Sequence, residues 1–386
     1  MVYLHVPFCR SFCTYCGFYS ETCSKSRQSE LFNEYADAVL TEAEERKEEI
    51  RSNPLRTLYI GGGTPSVLPL DVLSRIADGI RTIQGPSPLR EFTIEVNPED
   101  IVEKGDEYLA RLLDLGVTRI SMGIQSFDDG ILRWMNRRHD AAGAHRAFRL
   151  LREAGFGNIS IDLIFGLSQL ELPRWEKSIR EAIALNPEHI SAYQLSIDED
   201  SALASMVSSA RYEEASDEQC REQYELLCKL LAEAGYEHYE ISNWAKPGFR
   251  AVHNSAYWKR VPYCGLGPGA HSLISKDGRA SVRQWNTQEC ARIDAEGSLR
   301  RWQSEGEALS LKEIAEERVM LALRTSDGLE ESELRAICSD AKVDALMDEK
   351  ALQSIRKTDG SAMVRIPEER FFVSDDIISD LFNGME

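Results

Sequence analysis

Short runs of apolar or alternating residues recur along the first half of the chain, and each is followed by a stretch whose apolar positions repeat every three to four residues. Strands are predicted at Val2–His5, Thr57–Ile60, Phe92–Val96, Arg119–Gly123, Ile159–Ile164 and Ile190–Leu195. Between them the helical period predicts Ser29–Ser52, Pro69–Gln84, Asp106–Leu115, Ala141–Ala154 and Leu172–Leu185. Strands alternating with helices in this way are the pattern of repeated βα units around a parallel sheet. The expected fold class is α/β, a partial (β/α)6 TIM-like barrel. In parallel barrels the ligand sites lie at the C-terminal ends of the strands, where this chain places loops rich in Gly, Pro, Asn, Gln and Asp.

A further helix is predicted over Ser216–Ala234. The stretch Gly235–Trp285, rich in Tyr, Trp, His and Gly, reads as extra strands or hairpins flanking the barrel. From about Glu307 the pattern becomes helix-rich, with Leu309–Arg324, Glu330–Cys338 and Val343–Gln353, then two β-like pieces at Met363–Ile366 and Phe371–Val373 and a last helix at Asp375–Phe382. That order suggests a small winged-helix-like α+β domain. The expected division is a barrel over 1–234, a flanking β and aromatic segment over 235–300, and the winged-helix-like domain over 307–386. No internal repeat goes beyond the βα period. Residues 42–49, EAEERKEE, read as a solvated helix face.

With 386 residues, 42% hydrophobic and 28% charged, the chain has the composition of a soluble globular protein. Lys and Arg total 45 against 64 Asp and Glu, a net charge of -19. Such a balance repels phosphate backbones, and no basic patch offsets it, so no nucleic-acid partner is expected. The winged-helix-like segment is accordingly read as a protein contact or lid. No apolar run approaches the ~20 residues of a spanning helix, and Met1 leads straight into a strand rather than a signal sequence. A cytosolic protein is expected.

Three of nine cysteines crowd into Cys9, Cys13 and Cys16, in CxxxCxxC spacing directly after the first strand. Clustered thiols in a cytosolic chain point to metal ligation or catalysis rather than a disulfide framework. Cys220, Cys228, Cys264, Cys290 and Cys338 read as buried small hydrophobes, and Cys23 as the least certain because it neighbours the cluster. Three thiolates on one loop hold three corners of a four-iron cluster and leave the fourth iron open. The amine and carboxylate of S-adenosylmethionine chelate such an iron in the radical enzymes that this spacing marks, and reductive cleavage of the sulfonium to a 5'-deoxyadenosyl radical is the cofactor's chemistry. A zinc site lacking one ligand is the alternative reading.

The later loops hold what that cofactor needs. Consecutive glycines in Gly61 to Pro65 let backbone approach a ligand. Glu95 ends the third strand, where a carboxylate can accept both hydrogen bonds of a ribose diol. Gln125 ends the fourth, Arg137 offers a fork for a carboxylate, and Asp162 lies on the fifth.

In order along nearly the whole chain, the cluster loop, YIGGGTPS, IEVNP, GVTRISMGIQSF, NRRH, DLIFGL, NPEHISAYQLSI and YEISNWAKPG resemble the oxygen-independent coproporphyrinogen oxidase family of radical S-adenosylmethionine proteins. The resemblance implies that Cys9, Cys13 and Cys16 ligate a 4Fe-4S cluster. It also implies that Tyr3, Tyr15, Gly62, Gly63, Thr64, Glu95, Gln125, Arg137 and Asp162 contact S-adenosylmethionine. Three departures set the chain apart from the coproporphyrinogen dehydrogenases: Phe18 stands where they have a further cysteine, Met1 lies two residues before Tyr3 where they carry a long leading segment, and His253–Trp258 reads HNSAYW, similar to the HNxxYW motif of the family's heme chaperone branch.

The hexapeptide also has its own chemistry. A neutral imidazole is a good ligand to heme iron, and tyrosine and tryptophan faces pack against a porphyrin. His253 is the first ligand candidate, Tyr257 and Trp258 would shield the macrocycle, and Asn254 would orient the ring. The plainer reading has His253 completing a hairpin core. GLGPGAHS, Gly265–Ser272, brings backbone close to a ligand or a neighbouring strand, with His271 a weaker candidate; His5 is expected to pack in the cluster loop.

The leading expectation is a carrier that binds heme and delivers it to heme-accepting proteins. The alternative is an enzyme that decarboxylates the propionates of coproporphyrinogen III, and a radical step in heme breakdown ranks third. A transient membrane-protein contact and a homodimer are left open, and no catalytic residue is assigned.

Overall fold

A computed structural model of the chain describes residues 1–22, 27–199, 201–276, 278–294, 297–356 and 360–383; Cys23 lies outside them. Six parallel strands follow one another in sequence order across a single sheet: β1 (Val2–Val6), β2 (Thr57–Gly62), β3 (Glu91–Val96), β4 (Arg119–Gln125), β5 (Ile159–Phe165) and β6 (His189–Gln194). The helices between them are α1 (Gln28–Glu45), α2 (Lys47–Ser52), α3 (Leu70–Gln84), α4 (Pro98–Asp114), α5 (Asp129–Trp134), α6 (Ala141–Ala154) and α7 (Leu172–Leu185). The α/β partial barrel is therefore as the patterning predicts.

The reason lies in a strict two-residue alternation. One set of positions, such as Leu4, Leu58, Ile94, Met122 and Ile161, is fully buried against the helices. The other set is polar and faces the barrel interior, where Tyr59 meets Glu95, Ser121 meets Asp162, and Ser160 meets His189. Arg119 lies among them at 1% exposure and was not singled out by sequence.

After α8 (Ala202–Ser208) and α9 (Asp217–Glu233), the stretch expected to flank the barrel contributes to the main sheet itself. β7 (Glu237–Glu240) and β8 (Asn243–Ala245) add antiparallel strands beyond β6. Then α10 (Val252–Trp258) precedes β9 (Cys264–Leu266), which runs parallel to β1 on the opposite edge. β10 (His271–Lys276), β11 (Arg279–Asn286) and β14 (Ser304–Ala308) form an antiparallel sheet, with a short ribbon of β12 (Arg292–Ile293) and β13 (Leu299–Arg300) between.

The C-terminal part runs α11 (Leu311–Leu323), β15 (Leu329–Glu330), α12 (Glu331–Ile337), α13 (Asp340–Asp348), β16 (Gln353–Arg356), β17 (Ala362–Arg365) and α14 (Ser374–Phe382). Up to β17 the order is helix, strand, helix, helix, strand, strand. No helix among the described residues is long and apolar enough to cross a membrane.

Several local expectations are corrected. HNSAYW is a helix and not a hairpin, because the Glu91 carboxylate at the start of β3 accepts from the Val252 and His253 amides at 2.8 and 2.9 Å and caps α10 from outside the segment. Residues 42–49 are not wholly solvated: Glu42 is 1% exposed and Arg46 is tucked against the chain. α4 begins at Pro98, eight residues before the expected start, because Gly105 at φ 65° breaks it and hid its first half. The single helix expected over Ser29–Ser52 divides at Arg46. Phe371–Val373 lies in a 3-10 turn, and Gln353 opens a strand rather than closing a helix.

Glu240 at the end of β7 is fully buried, and burial pushes its carboxyl up to about 8. It accepts from the Ser242 amide and from the Asn243 side chain, and among the described residues no cation is paired with it. A carboxyl held above its unfolded value of 4.5 costs stability as pH rises from there towards 8 and costs nothing below it. Glu240→Gln, which mimics the protonated form, is therefore expected to leave stability at pH 5 nearly unchanged and to raise it at pH 8 by on the order of 2 kcal/mol. Denaturant melts of both proteins at the two pH values test this, and a variant less stable than wild type at pH 8 contradicts it.

Candidate cofactor cavity and the histidine motif

A cavity of about 460 Å³ opens at the C-terminal ends of the strands. Cys9, Cys13, Cys16 and Tyr15 line it from the loop after β1; Gly62, Gly63 and Thr64 from β2; Glu95 from β3; Gln125 from β4, with Arg137 beyond α5; and Asp162 from β5. Six separate segments thus converge on one space, as the strand-end rule requires.

The three thiols are set by their surroundings. Cys9 Sγ lies 3.4 Å from Thr64 Oγ1, which accepts from Asn97 Nδ2 at 3.2 Å. Asn97 Oδ1 accepts from Arg137 Nη2 at 2.6 Å, and Arg137 Nη1 reaches Cys13 Sγ at 3.5 Å. A polar chain therefore runs from the first thiol to the second through the loops after β2, β3 and α5. The middle of the cysteine loop is pinned separately, by Thr14 to the carbonyls of Trp134 and Met135, by Asn136 to Phe12, and by the Leu203 amide to Thr14. α5 and α8, which supply these anchors, went unseen in the sequence because six and seven residues are too short for a helical period to register.

Among the described residues no three His, Cys, Asp or Glu side chains close around a single metal ion. Cys9, Cys13 and Cys16 all line the cavity. Burial pushes the Cys9 thiol up, and Cys16 up to about 11, so both need a nearby cation to be thiolates at neutral pH.

Gly63 permits the close approach. A Cβ there would lie 2.9 Å from the Phe8 carbonyl and 3.1 Å from Cys9 Sγ, while the Gly63 and Thr64 amides donate to Val6 and Phe8 at 2.8 Å. Glu95 accepts from Tyr59 Oη at 2.7 Å and from the Gly62 amide at 3.1 Å, and burial pushes its carboxyl up to about 7. Gln125 sits at φ 68° where β4 loses register with β5, a strained position for a side chain and one that recurs at ligand sites. Burial raises the Asp162 carboxyl, against the hydrogen bonds of Ser191 and Ser121 and the nearby Arg119 and Arg137 guanidinium groups. Arg137 Nε is buried with no partner, a donor left over for an anionic ligand group.

Tyr3 stands apart from this set. It is not among the lining residues, its ring 6.0 Å from that of Tyr59 and its hydroxyl 3.1 Å from His5 Nδ1. Sequence reasoning missed Tyr59, Asn97 and Tyr193, which also line the cavity. Tyr59 was legible only as the inward alternate of YIGG.

The histidine motif lies elsewhere, at the N-terminal ends of β2 and β3. His253 is 1% exposed; its Nδ1 is 2.8 Å from Thr57 Oγ1 and its Nε2 2.9 Å from Tyr257 Oη. Both ring nitrogens are thus hydrogen-bonded, and metal ligation by His253 would require one of these bonds to break. Tyr257 packs edge-on against Tyr263, while Asn254 and Trp258 are partly exposed. His253 and the cavity share a wall: its ring is 5.2 Å from that of Tyr59, which holds Glu95.

Comparison with known proteins gives the family. The radical SAM superfamily model matches residues 3–182. The chain is 31% identical over 385 residues to the heme chaperone HemW of Lactococcus lactis, covering 97% of each protein. It is 37% identical over 273 residues to HemW of Bacillus subtilis, covering 70% of each. Coproporphyrinogen III oxidase of Escherichia coli, a radical SAM enzyme, superposes with a TM-score of 0.78 at 20% identity, over 98% of this chain and 89% of that one, a likeness of fold. The chain belongs to the heme chaperone branch of the coproporphyrinogen III oxidase-like radical S-adenosylmethionine family.

Proposed function

We propose that this chain is a cytosolic heme carrier that binds heme and passes it to heme-requiring proteins, with a 4Fe-4S cluster on Cys9, Cys13 and Cys16 and S-adenosylmethionine beside it. The observation that carries the reading is the end-to-end likeness to proteins named heme chaperones, covering 97% of both chains in one case. Phe18, 73% exposed where the coproporphyrinogen dehydrogenases have a cysteine, supports it.

When bound, the cluster supplies an electron and an open iron to the sulfonium nucleotide. The chain's own residues do the rest. Arg137 offers its unpartnered Nε to the nucleotide's carboxylate, and Glu95 and Asp162 accept from its hydroxyl or amine groups. Partly exposed Asn254 and Trp258 on α10 are the motif's contribution to tetrapyrrole packing. The reduced thiols that the cluster requires fit a cytosolic location.

Anaerobically reconstituted protein is expected to take up heme in a saturable way and release it to an apo-hemoprotein, with no turnover of coproporphyrinogen III. Difference absorption spectra and product chromatography check both halves. Accumulation of protoporphyrinogen IX beyond one equivalent per chain would replace the carrier with the enzyme.

A further inference from the structure

We infer that His271, rather than the motif histidine, is the imidazole that ligates the heme iron; this rests on the carrier function proposed above. The chain has seven histidines. Six are already engaged. His5 bonds Tyr3 Oη and the Tyr19 carbonyl, His139 bonds Glu99 and the Ile124 carbonyl, and His145 is paired through Nε2 with Glu181. His189 lies between Ser160 and Tyr239, His238 bonds Tyr224 and stacks on Trp244, and His253 is held as described. His271 alone is exposed with neither ring nitrogen hydrogen-bonded to a described residue. Burial of part of the ring, and the Arg283 guanidinium, hold it below the usual histidine value, so that at neutral pH it keeps the lone pair a metal takes.

What makes this more than a surface histidine is how it is presented. The residues around it are tied down. Gly267, at φ 92°, passes so close to β1 that a Cβ would lie 2.5 Å from the His5 carbonyl, and its amide donates to Glu42 at 2.9 Å. Asn286 closes the loop by donating to the carbonyls of Gly267 and Ala270. Ser272 Oγ accepts from Arg46 and from the Gly265 amide, each at 2.9 Å. A binding group left free on a backbone locked by buried hydrogen bonds is the arrangement of a prepared ligand site. Directly across the ladder stands Trp285, its ring centroid 6.4 Å from the imidazole and tilted 31°, with its indole N–H fixed on Glu305. At that tilt the indole would meet a macrocycle held by the imidazole edge-on, an apolar contact beside the iron position. His253, by contrast, becomes available only when its bond to Thr57 or to Tyr257 is broken.

The test is a heme titration of full-length wild type, His271→Ala and His253→Ala, with the Soret band and the resonance Raman iron–imidazole signature as readouts. His271→Ala is expected to bind about tenfold more weakly or worse and to lose the signature, with free imidazole restoring it, while His253→Ala keeps it. A signature intact in His271→Ala, or lost only in His253→Ala, overturns the assignment while the carrier function stands. Absence of heme uptake by the wild type brings down both.

Discussion

Cys9→Ala, Cys13→Ala and Cys16→Ala are each expected to abolish the four-iron visible absorption after anaerobic reconstitution, and to lower bound iron and sulfide to a small fraction of the wild-type content. A cluster with one open iron already lacks a fourth protein ligand, so losing another leaves two thiolates to retain it. The three side chains are partly exposed around the cavity, so far-UV circular dichroism should be unchanged and the loss should not follow from unfolding. Cys13→Ala also removes the sulfur that Arg137 Nη1 faces. A normal four-iron spectrum in any one of these variants would remove that cysteine from the ligand set. Uptake of one zinc in preference to iron and sulfide by the wild type would remove the cluster altogether.

Glu42→Ala is expected to be the most destabilising single change outside the apolar core. Its carboxylate accepts from Trp302 Nε1 and Asn286 Nδ2 at 2.8 Å, from the Gly267 amide at 2.9 Å and from Arg46 Nη1 at 3.4 Å. Burial raises its pKa, opposed by those same donors and by the charge of Arg46. Removing the acceptor strands three buried donors and part of a guanidinium, a change that costs about 3 to 5 kcal/mol in buried charge networks. Glu42→Gln should cost less, because one carbonyl oxygen still accepts while the new amide faces donors. Urea denaturation of protein with matched iron content measures both, and a loss below about 1 kcal/mol for the alanine variant would show that the loop holds without this acceptor. Heme affinity should fall alongside stability, since the same carboxylate fixes the loop before His271.

How far the chain could be read from sequence follows from the range of the interactions involved. The barrel strands were legible because Leu4, Ile60, Ile94 and Met122 alternate with polar residues over a period that needs no tertiary partner. The convergence of Glu95, Gln125, Arg137 and Asp162 was legible because a parallel barrel brings all its strand ends to one rim. Tyr3 was placed among the cavity residues by resemblance, yet it does not line the cavity. The errors share a cause. Glu42 looks like any acidic residue in EAEERKEE until Trp302 and Asn286, more than two hundred residues away, supply its hydrogen bonds. HNSAYW reads as β-prone until Glu91 of another strand caps it as a helix. In each case a long-range hydrogen-bond partner decides the outcome, and composition within the segment carries no trace of it.

The chain of contacts from Cys9 through Thr64, Asn97 and Arg137 to Cys13 bears on how the cysteine loop is held. These bonds use only side chains of the folded polypeptide and join segments 33 to 124 residues apart, so part of the ordering entropy of the cysteine loop is offset by contacts within the chain itself. The two thiols at its ends are thereby coupled, and a change at Asn97 or Thr64, which carry no sulfur, would reach both Cys9 and Cys13.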